Sequence, residues 1–155
     1  MRWLLLVATH TGAVAVGFAL GVYFLPILTA PKGPDAAELR AAAQSAQYSG
    51  RFDRKLKGSD LFHWGEGEVH VSSKRVVHTG RLAPGPDYKL YLASSFVDTK
   101  EAFLAIKAQS RRIGNVQTFD GFIIDVPEGV DVNAYSTVVV WCEAFSQFIS
   151  AATYR

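Results

Sequence analysis

The sequence predicts an all-β fold, an antiparallel β-sandwich or barrel-like domain preceded by one transmembrane α-helix and a short helical linker. Three observations carry this expectation. Residues 3–28 form an apolar run without Asp, Glu, Lys or Arg. A Pro31-Lys32-Gly33-Pro34 break and an Ala-rich stretch follow. From Tyr48 onward, aromatic and β-branched residues alternate between Gly and Pro punctuation, the pattern of short antiparallel strands. The implied organisation is an anchor over residues 1–30, a partly helical linker over 31–47 and a β domain over 48–155.

The apolar run sets the first element. Its 26 residues would make a helix about 39 Å long at roughly 1.5 Å per residue. A bilayer core needs only about 20 residues. A signal peptide has a shorter apolar stretch and then a small-residue cleavage site. Here Leu28-Thr29-Ala30 runs into Pro31, which suits cleavage poorly, so an uncleaved signal anchor is expected. Arg2 and the amino terminus flank one end, and Lys32 flanks the other. The short flank favours an N-terminus in the cytoplasm and a single-pass chain in the cell membrane, with its domain on the extracytoplasmic (periplasmic) side. Gly17 and Gly21 form a G-x-x-x-G pair that points to homodimer packing between helices. Thr9 and His10 read as interfacial residues.

In the linker, Asp35 with Glu38 three residues on has the form of a capping box. The stretch 36–47 favours helix but carries one large apolar residue, Leu39. It reads as a spacer outside the core. The expected strands are 67–71, 75–78, 88–93, 116–119, 122–126, 137–143 and 151–154. Gly85-Pro86-Asp87 is a turn before Tyr88. Asp120-Gly121 suggests a hairpin between the fourth and fifth strands. Asp98-Thr99 would cap a short helix over 100–109.

Composition excludes several classes. The chain has 155 residues, which leaves about 120 for a folded unit once the anchor is set aside. Sixteen basic residues stand against 14 acidic ones, for a net charge of +2, so no nucleic-acid surface is indicated. There is no G-x-S-x-G elbow, no Walker loop and no H-E-x-x-H, and no metal site is expected. Glu66 and Glu68 read as a solvated strand edge. Met1 is the only methionine, which rules out Met–His haem ligation inside the domain.

Chemistry is expected at the single cysteine. In the strand 137–143, alternate residues share a face. Val138, Val140, Cys142 and Ala144 lie together, and Thr137, Val139, Trp141 and Glu143 lie opposite. Cys142 should therefore point into the core. Two readings stay open. The thiol is an inert, small hydrophobe, or it borders a cavity where it ligates haem iron or exchanges electrons. A disulfide between two chains is disfavoured by the inward direction. Among the histidines, a Ser73-Lys74 turn would pair Val69 with His78 and His70 with Val77. It would place His78 on the apolar face with Val69, Val71 and Val76. His78 and His63 are the candidate cofactor ligands beside Cys142.

Three stretches, taken together, resemble a known family. They are Leu61-Phe62-His63-Trp64-Gly65-Glu66-Gly67, Leu82-Ala83-Pro84-Gly85-Pro86-Asp87-Tyr88-Lys89-Leu90-Tyr91-Leu92, and Tyr135-Ser136-Thr137-Val138-Val139-Val140-Trp141-Cys142-Glu143-Ala144-Phe145. Their order and content resemble the DM-thirteen domain, an electron-transfer candidate found beside DOMON domains in animal cell-surface proteins of the Skeletor type, and alone in bacteria. The resemblance covers about residues 48–155. It implies that Cys142 is the family's characteristic cysteine, acting as a bare thiol or as a ligand for a prosthetic group such as haem, with a redox partner protein. The alternative is a non-catalytic extracytoplasmic binding or scaffold module in which Cys142 is structural.

Overall fold

A two-residue turn at Ser73-Lys74 folds the chain back on itself. Ser72 Oγ receives the amide of Arg75 at 3.1 Å, which tightens the turn. The register is Val69 opposite His78, His70 opposite Val77 and Val71 opposite Val76, as the sequence predicts. This hairpin is the centre of one of two sheets in the computed structural model, which describes residues 1–155.

The elements are α1 (Arg2–Thr29), α2 (Ala36–Ala43), β1 (Tyr48–Phe52), β2 (Gly65–Val71), β3 (Arg75–Leu82), β4 (Tyr88–Ala93), α3 (Lys100–Ile106), β5 (Arg111–Val116), β6 (Phe122–Asp125), β7 (Thr137–Cys142) and β8 (Gln147–Thr153). All strand pairs are antiparallel. One sheet has the order β1-β2-β3-β6 and the other β5-β4-β7-β8. The main core draws from both sheets, with Val69, Val71 and Val76 from the first facing Leu90, Leu92, Val138 and Val140 from the second. The domain is a β-sandwich with a leading helix. α1 is long and apolar enough to span a membrane. Gly17 and Gly21 face open space.

Each sheet also has a covered outer face. Every residue of β7 is buried. Val138, Val140 and Cys142 enter the main core, while Val139 and Trp141 pack outward against Phe103 of α3. That matches the expected parity of the strand. Thr99 caps α3 by accepting the Ala102 amide, and a 3-10 turn over Lys107–Gln109 extends it. On the other sheet, α2 covers Val77.

Several expectations need correction. The segment α2 is more than a spacer. Both halves of its capping box form, and Leu39 and Ala42 are buried against Val77. One leucine suffices because the outer face of the hairpin offers a single valine, with Ile123 of β6 beside it. The fourth expected strand, 116–119, is displaced to β5. Arg111, Arg112 and Asn115 hide its apolar alternation, which is tolerated because β5 lies at a sheet edge. Asp120-Gly121 is a turn without a hairpin: β5 and β6 belong to different sheets. The connection is pinned where the Leu82 amide donates to the Phe119 carbonyl at 2.8 Å. Gly121 has φ of +121°, and a Cβ there would lie 2.9 Å from the His78 carbonyl oxygen. β1 was not expected. Its Gly50 lets it approach β8, since a Cβ there would sit 2.2 Å from the Thr153 carbonyl oxygen.

Candidate functional site at the Cys142 end of the sandwich

The non-local pairing of β4 with β7 sets Tyr88 directly opposite Cys142. Directly opposed residues in an antiparallel pair have Cβ atoms about 4.5–5.5 Å apart, so their side chains touch. Around the next turn, the pairing of β7 with β8 slips between Val140 and Trp141. Trp141 then faces Phe148 while Val140 faces Ser150, so Ile149 is the extra residue of a bulge. Bulges of this kind re-aim side chains at the rims of sheets. Here Ile149 is turned into the main core beside Cys142.

The sandwich is left open at this end. A cavity of about 380 Å³ is bordered by Cys142, Tyr88, Ile149 and Phe145 from the sheet and its turn. His63 and Phe62 border it from the β1–β2 connection, and Pro84-Gly85-Pro86 from the β3–β4 connection. Phe18, Ala19, Val22 and Tyr23 of α1 complete the wall. Gly85 has a steric reason: a Cβ there would lie 2.3 Å from the Tyr88 ring. The turn predicted at this position thus lies flat on Tyr88 and forms a wall of the cavity.

The lining is mostly apolar, which sets the protonation of its polar groups. Cys142 is 2 % exposed. Burial pushes its thiol above the ordinary range, and the nearby backbone amides of Phe145, Asp87 and Ala144 pull it only partly back. Tyr88 is also pushed up, by burial first and then by the neighbouring Cys142 sulfur. Both groups are therefore protonated at neutral pH.

His63 is held at the rim by Asp60. The Asp60 carboxylate lies 2.8 Å from His63 Nδ1, and its Oδ1 also receives the backbone amides of Phe62 and His63. Partial burial pushes Asp60 up, but the His63 bond and the Phe62 amide outweigh it and hold it below the usual carboxylate range. A ring fixed through Nδ1 keeps Nε2 free for another partner.

His78 lies elsewhere. It is fully buried between Phe52 and Phe122, with both ring centroids at 5.1 Å. Its Nε2 donates to the Glu66 carbonyl at 2.9 Å, and Nδ1 has no partner. Burial lowers its pKa to about 4, so it is neutral. It does not border the Cys142 cavity. The structure thus brings Cys142 and His63 to one cavity and leaves His78 in the core. No group of three His, Cys, Asp or Glu side chains is placed to hold a metal ion. Sequence reasoning passed over Tyr88 and Asp60. Asp60 carried a local signal, three residues before His63, whereas Tyr88 could be found only by knowing that β4 pairs with β7.

A β-sandwich whose sole cysteine borders an apolar cavity is the class of protein that fold and site define. The family described as Electron transfer DM13 matches residues 55–154. The chain belongs to this family, as the three sequence stretches implied. Cys142, Tyr88, Asp60 and His63 all fall inside the matched span. No curated protein and no solved structure matches the chain.

Proposed function

We propose that the protein is a membrane-anchored electron-transfer domain, held on the extracytoplasmic side, with Cys142 as its redox group. The observation that carries this reading is the cavity: the one cysteine borders open apolar space with His63 on the same wall system. A purely structural thiol would be enclosed by packed side chains. Membership of an electron-transfer family supports the same reading.

Two forms of chemistry fit the residues. As a bare thiol, Cys142 would attack the disulfide of a partner protein, forming a mixed disulfide and releasing the partner's second sulfur as a thiol. No second cysteine in the chain can resolve that bond, so a partner thiol must do so. As a ligand, the Cys142 sulfur is a soft donor at the wall of an apolar cavity, which suits a prosthetic group such as haem. His63 Nε2 would be a second polar contact. Bound haem would supply one-electron chemistry; Cys142 would hold it and the apolar walls would exclude water.

Arg2 and the short N-terminal flank support the extracytoplasmic side. A reporter enzyme active only outside the cytoplasm, fused after Arg155, should be active. An inactive but well-expressed fusion would reverse the topology.

The test of function uses the purified full chain in detergent. Haemin is titrated while the visible spectrum is recorded, and the thiol is counted with a maleimide before and after exposure to a protein disulfide. A Soret shift or a mixed disulfide that is lost in Cys142→Ser supports the proposal. No Soret shift together with a thiol that reacts only after unfolding would overturn it. That second outcome is what the scaffold reading expects, and the 2 % exposure of Cys142 is the observation in its favour.

A further inference from the structure

The chain from α1 enters the domain at one end of the sandwich. The strand registers define that end. Gly65 pairs with Leu82, Tyr88 pairs with both Val116 and Cys142, and Cys142 pairs with Gln147. The connections 60–64, 83–87, 117–121 and 143–146 lie there together. Gly33, in the connector after α1, rests on the third of them: a Cβ there would lie 3.5 Å from the Thr118 side chain. Thr29 is the last residue of α1. Gly33 follows it by four positions, a reach of no more than about 14 Å at roughly 3.5 Å per residue. The Phe62 ring also meets Tyr23 of α1 edge-on, with centroids 6.4 Å apart. So short a tether holds this end of the sandwich against whatever α1 crosses.

The exposed apolar side chains of the β domain gather at the same end. Between residues 48 and 155, five large ones are exposed: Leu61, Phe62, Phe96, Leu104 and Phe145. Leu61, Phe62 and Phe145, at 78 %, 57 % and 52 % exposure, stand in the connections at the tethered end. Leu104 lies on α3, and Phe96 follows β4 at the far end, three residues past Ala93. A single exposed apolar residue needs no explanation, but a group of them on one end marks a contact surface. The carboxylates beside the three are engaged: Asp60 is bonded to His63 at 2.8 Å, and Glu143 to Lys107 at 2.6 Å. Neither leaves a free acid next to the apolar group.

We propose that this end of the sandwich is a lipid-binding surface: it sits on the bilayer that α1 crosses, with Leu61, Phe62 and Phe145 inserted among the headgroups of the near leaflet. The inference rests on the membrane-anchored reading above. The length of α1 fits it. Its 28 residues extend about 42 Å at roughly 1.5 Å per residue. The hydrocarbon core takes up only about 30 Å. With Arg2 at the far interface, the last two turns, from about residue 22, stand at the level of the near headgroups. Aromatic rings concentrate at that level, and Tyr23 and Phe62 meet there. Apolar side chains on a membrane-seated surface enter about 5–10 Å into the headgroup and acyl boundary, a depth within reach of loop side chains. Lipid thus covers the apolar surface that water would otherwise meet.

The experiment uses the full chain reconstituted into phosphatidylcholine vesicles. Leu61→Cys, Phe145→Cys and, at the far end, Phe96→Cys are each labelled with a nitrobenzoxadiazole maleimide. The unsubstituted chain, carried through the same labelling, gives the background from Cys142. A thermal melt checks that each variant folds, which substitutions at exposed positions should permit. Phosphatidylcholine bearing a nitroxide high on its acyl chain should quench the labels at 61 and 145 several-fold more than the label at 96. Iodide in the buffer should show the reverse order. Phe62→Asp, combined with Leu61→Cys, should cut the lipid quenching several-fold while the melt stays fixed. Equal lipid quenching at 61, 145 and 96 overturns the proposal, as does quenching at 61 that Phe62→Asp leaves unchanged. Labels shielded from iodide but untouched by the lipid nitroxide also overturn it, because a second copy or another protein would then cover the surface. Flotation after an alkaline wash separates the two readings. A chain that floats with the vesicles but fails the quenching test loses only the seat on the lipid. A chain that does not float loses the anchor as well.

Discussion

His78 and Cys142 both point into the interior of the sandwich, yet their surroundings differ. His78 sits mid-hairpin, pressed between two phenyl rings and bonded to a backbone carbonyl. Cys142 sits at the last position of its strand, where the opposing wall is made by loops and by α1. Burial acts on both in the direction of the neutral form. What differs is the space beside them. A polar group in a filled core can only be structural, while one beside a cavity can meet a ligand. Strand parity decides burial; position along the strand decides access.

The contrast is broken most severely at the closed region. Phe52 is fully buried against the His78 ring. Phe52→Ala should cost about 3–5 kcal/mol, the usual range for a fully buried aromatic. At the open end, Phe145 is 52 % exposed, and Phe145→Ala should cost about 0.5 kcal/mol or less. Urea unfolding of the full chain in detergent, read by near-ultraviolet circular dichroism, measures both. Equal costs would mean that the two regions are packed alike.

The next largest effect is on acid stability. His78 has a folded pKa of about 4 against an ordinary value of 6.5. Between those values the unfolded chain binds a proton that the folded chain refuses. Stability should therefore fall as pH drops from 6.5 towards 4, by up to about 3 kcal/mol at roughly 1.4 kcal/mol per pKa unit. Above pH 6.5 this contribution is fully present. Midpoints measured at several pH values should show the slope, and His78→Gln should flatten it. A slope that persists unchanged in His78→Gln would place the acid sensitivity elsewhere.

The unequal legibility of the two regions has a physical basis. The β2–β3 register depends on a two-residue turn and on alternation of Val69, Val71, Val76 and His78, all within ten residues. Local pattern therefore suffices. The bounds of β4 and the two faces of β7 were legible for the same reason. β5 was not, because an edge strand needs no continuous apolar face and its arginines mask the period. Nor was the crossover at Gly121, since a turn glycine looks the same within one sheet or between two. At the site, the inward direction of Cys142 follows from parity alone. The cavity does not: its walls come from residues 18–23, 62–63, 84–88 and 142–149, and no local pattern reports such a meeting. His63 and His78 looked equivalent as candidates, and only tertiary packing separates them.

The finest test of the contrast leaves stability nearly untouched and reads access to sulfur. Burial raises the Cys142 pKa, so little thiolate is present at neutral pH and maleimide labelling of the native chain should be slow. Labelling should speed up with pH until the thiol titrates. Phe145 borders the cavity. Phe145→Ala should therefore raise the labelling rate several-fold. Labelling through global unfolding would instead follow the urea midpoint of each variant. Rates that respond to the cavity walls while the midpoints stay fixed identify the cavity as the route to Cys142. Rates that change only with the midpoint would put Cys142 in the same sealed condition as His78.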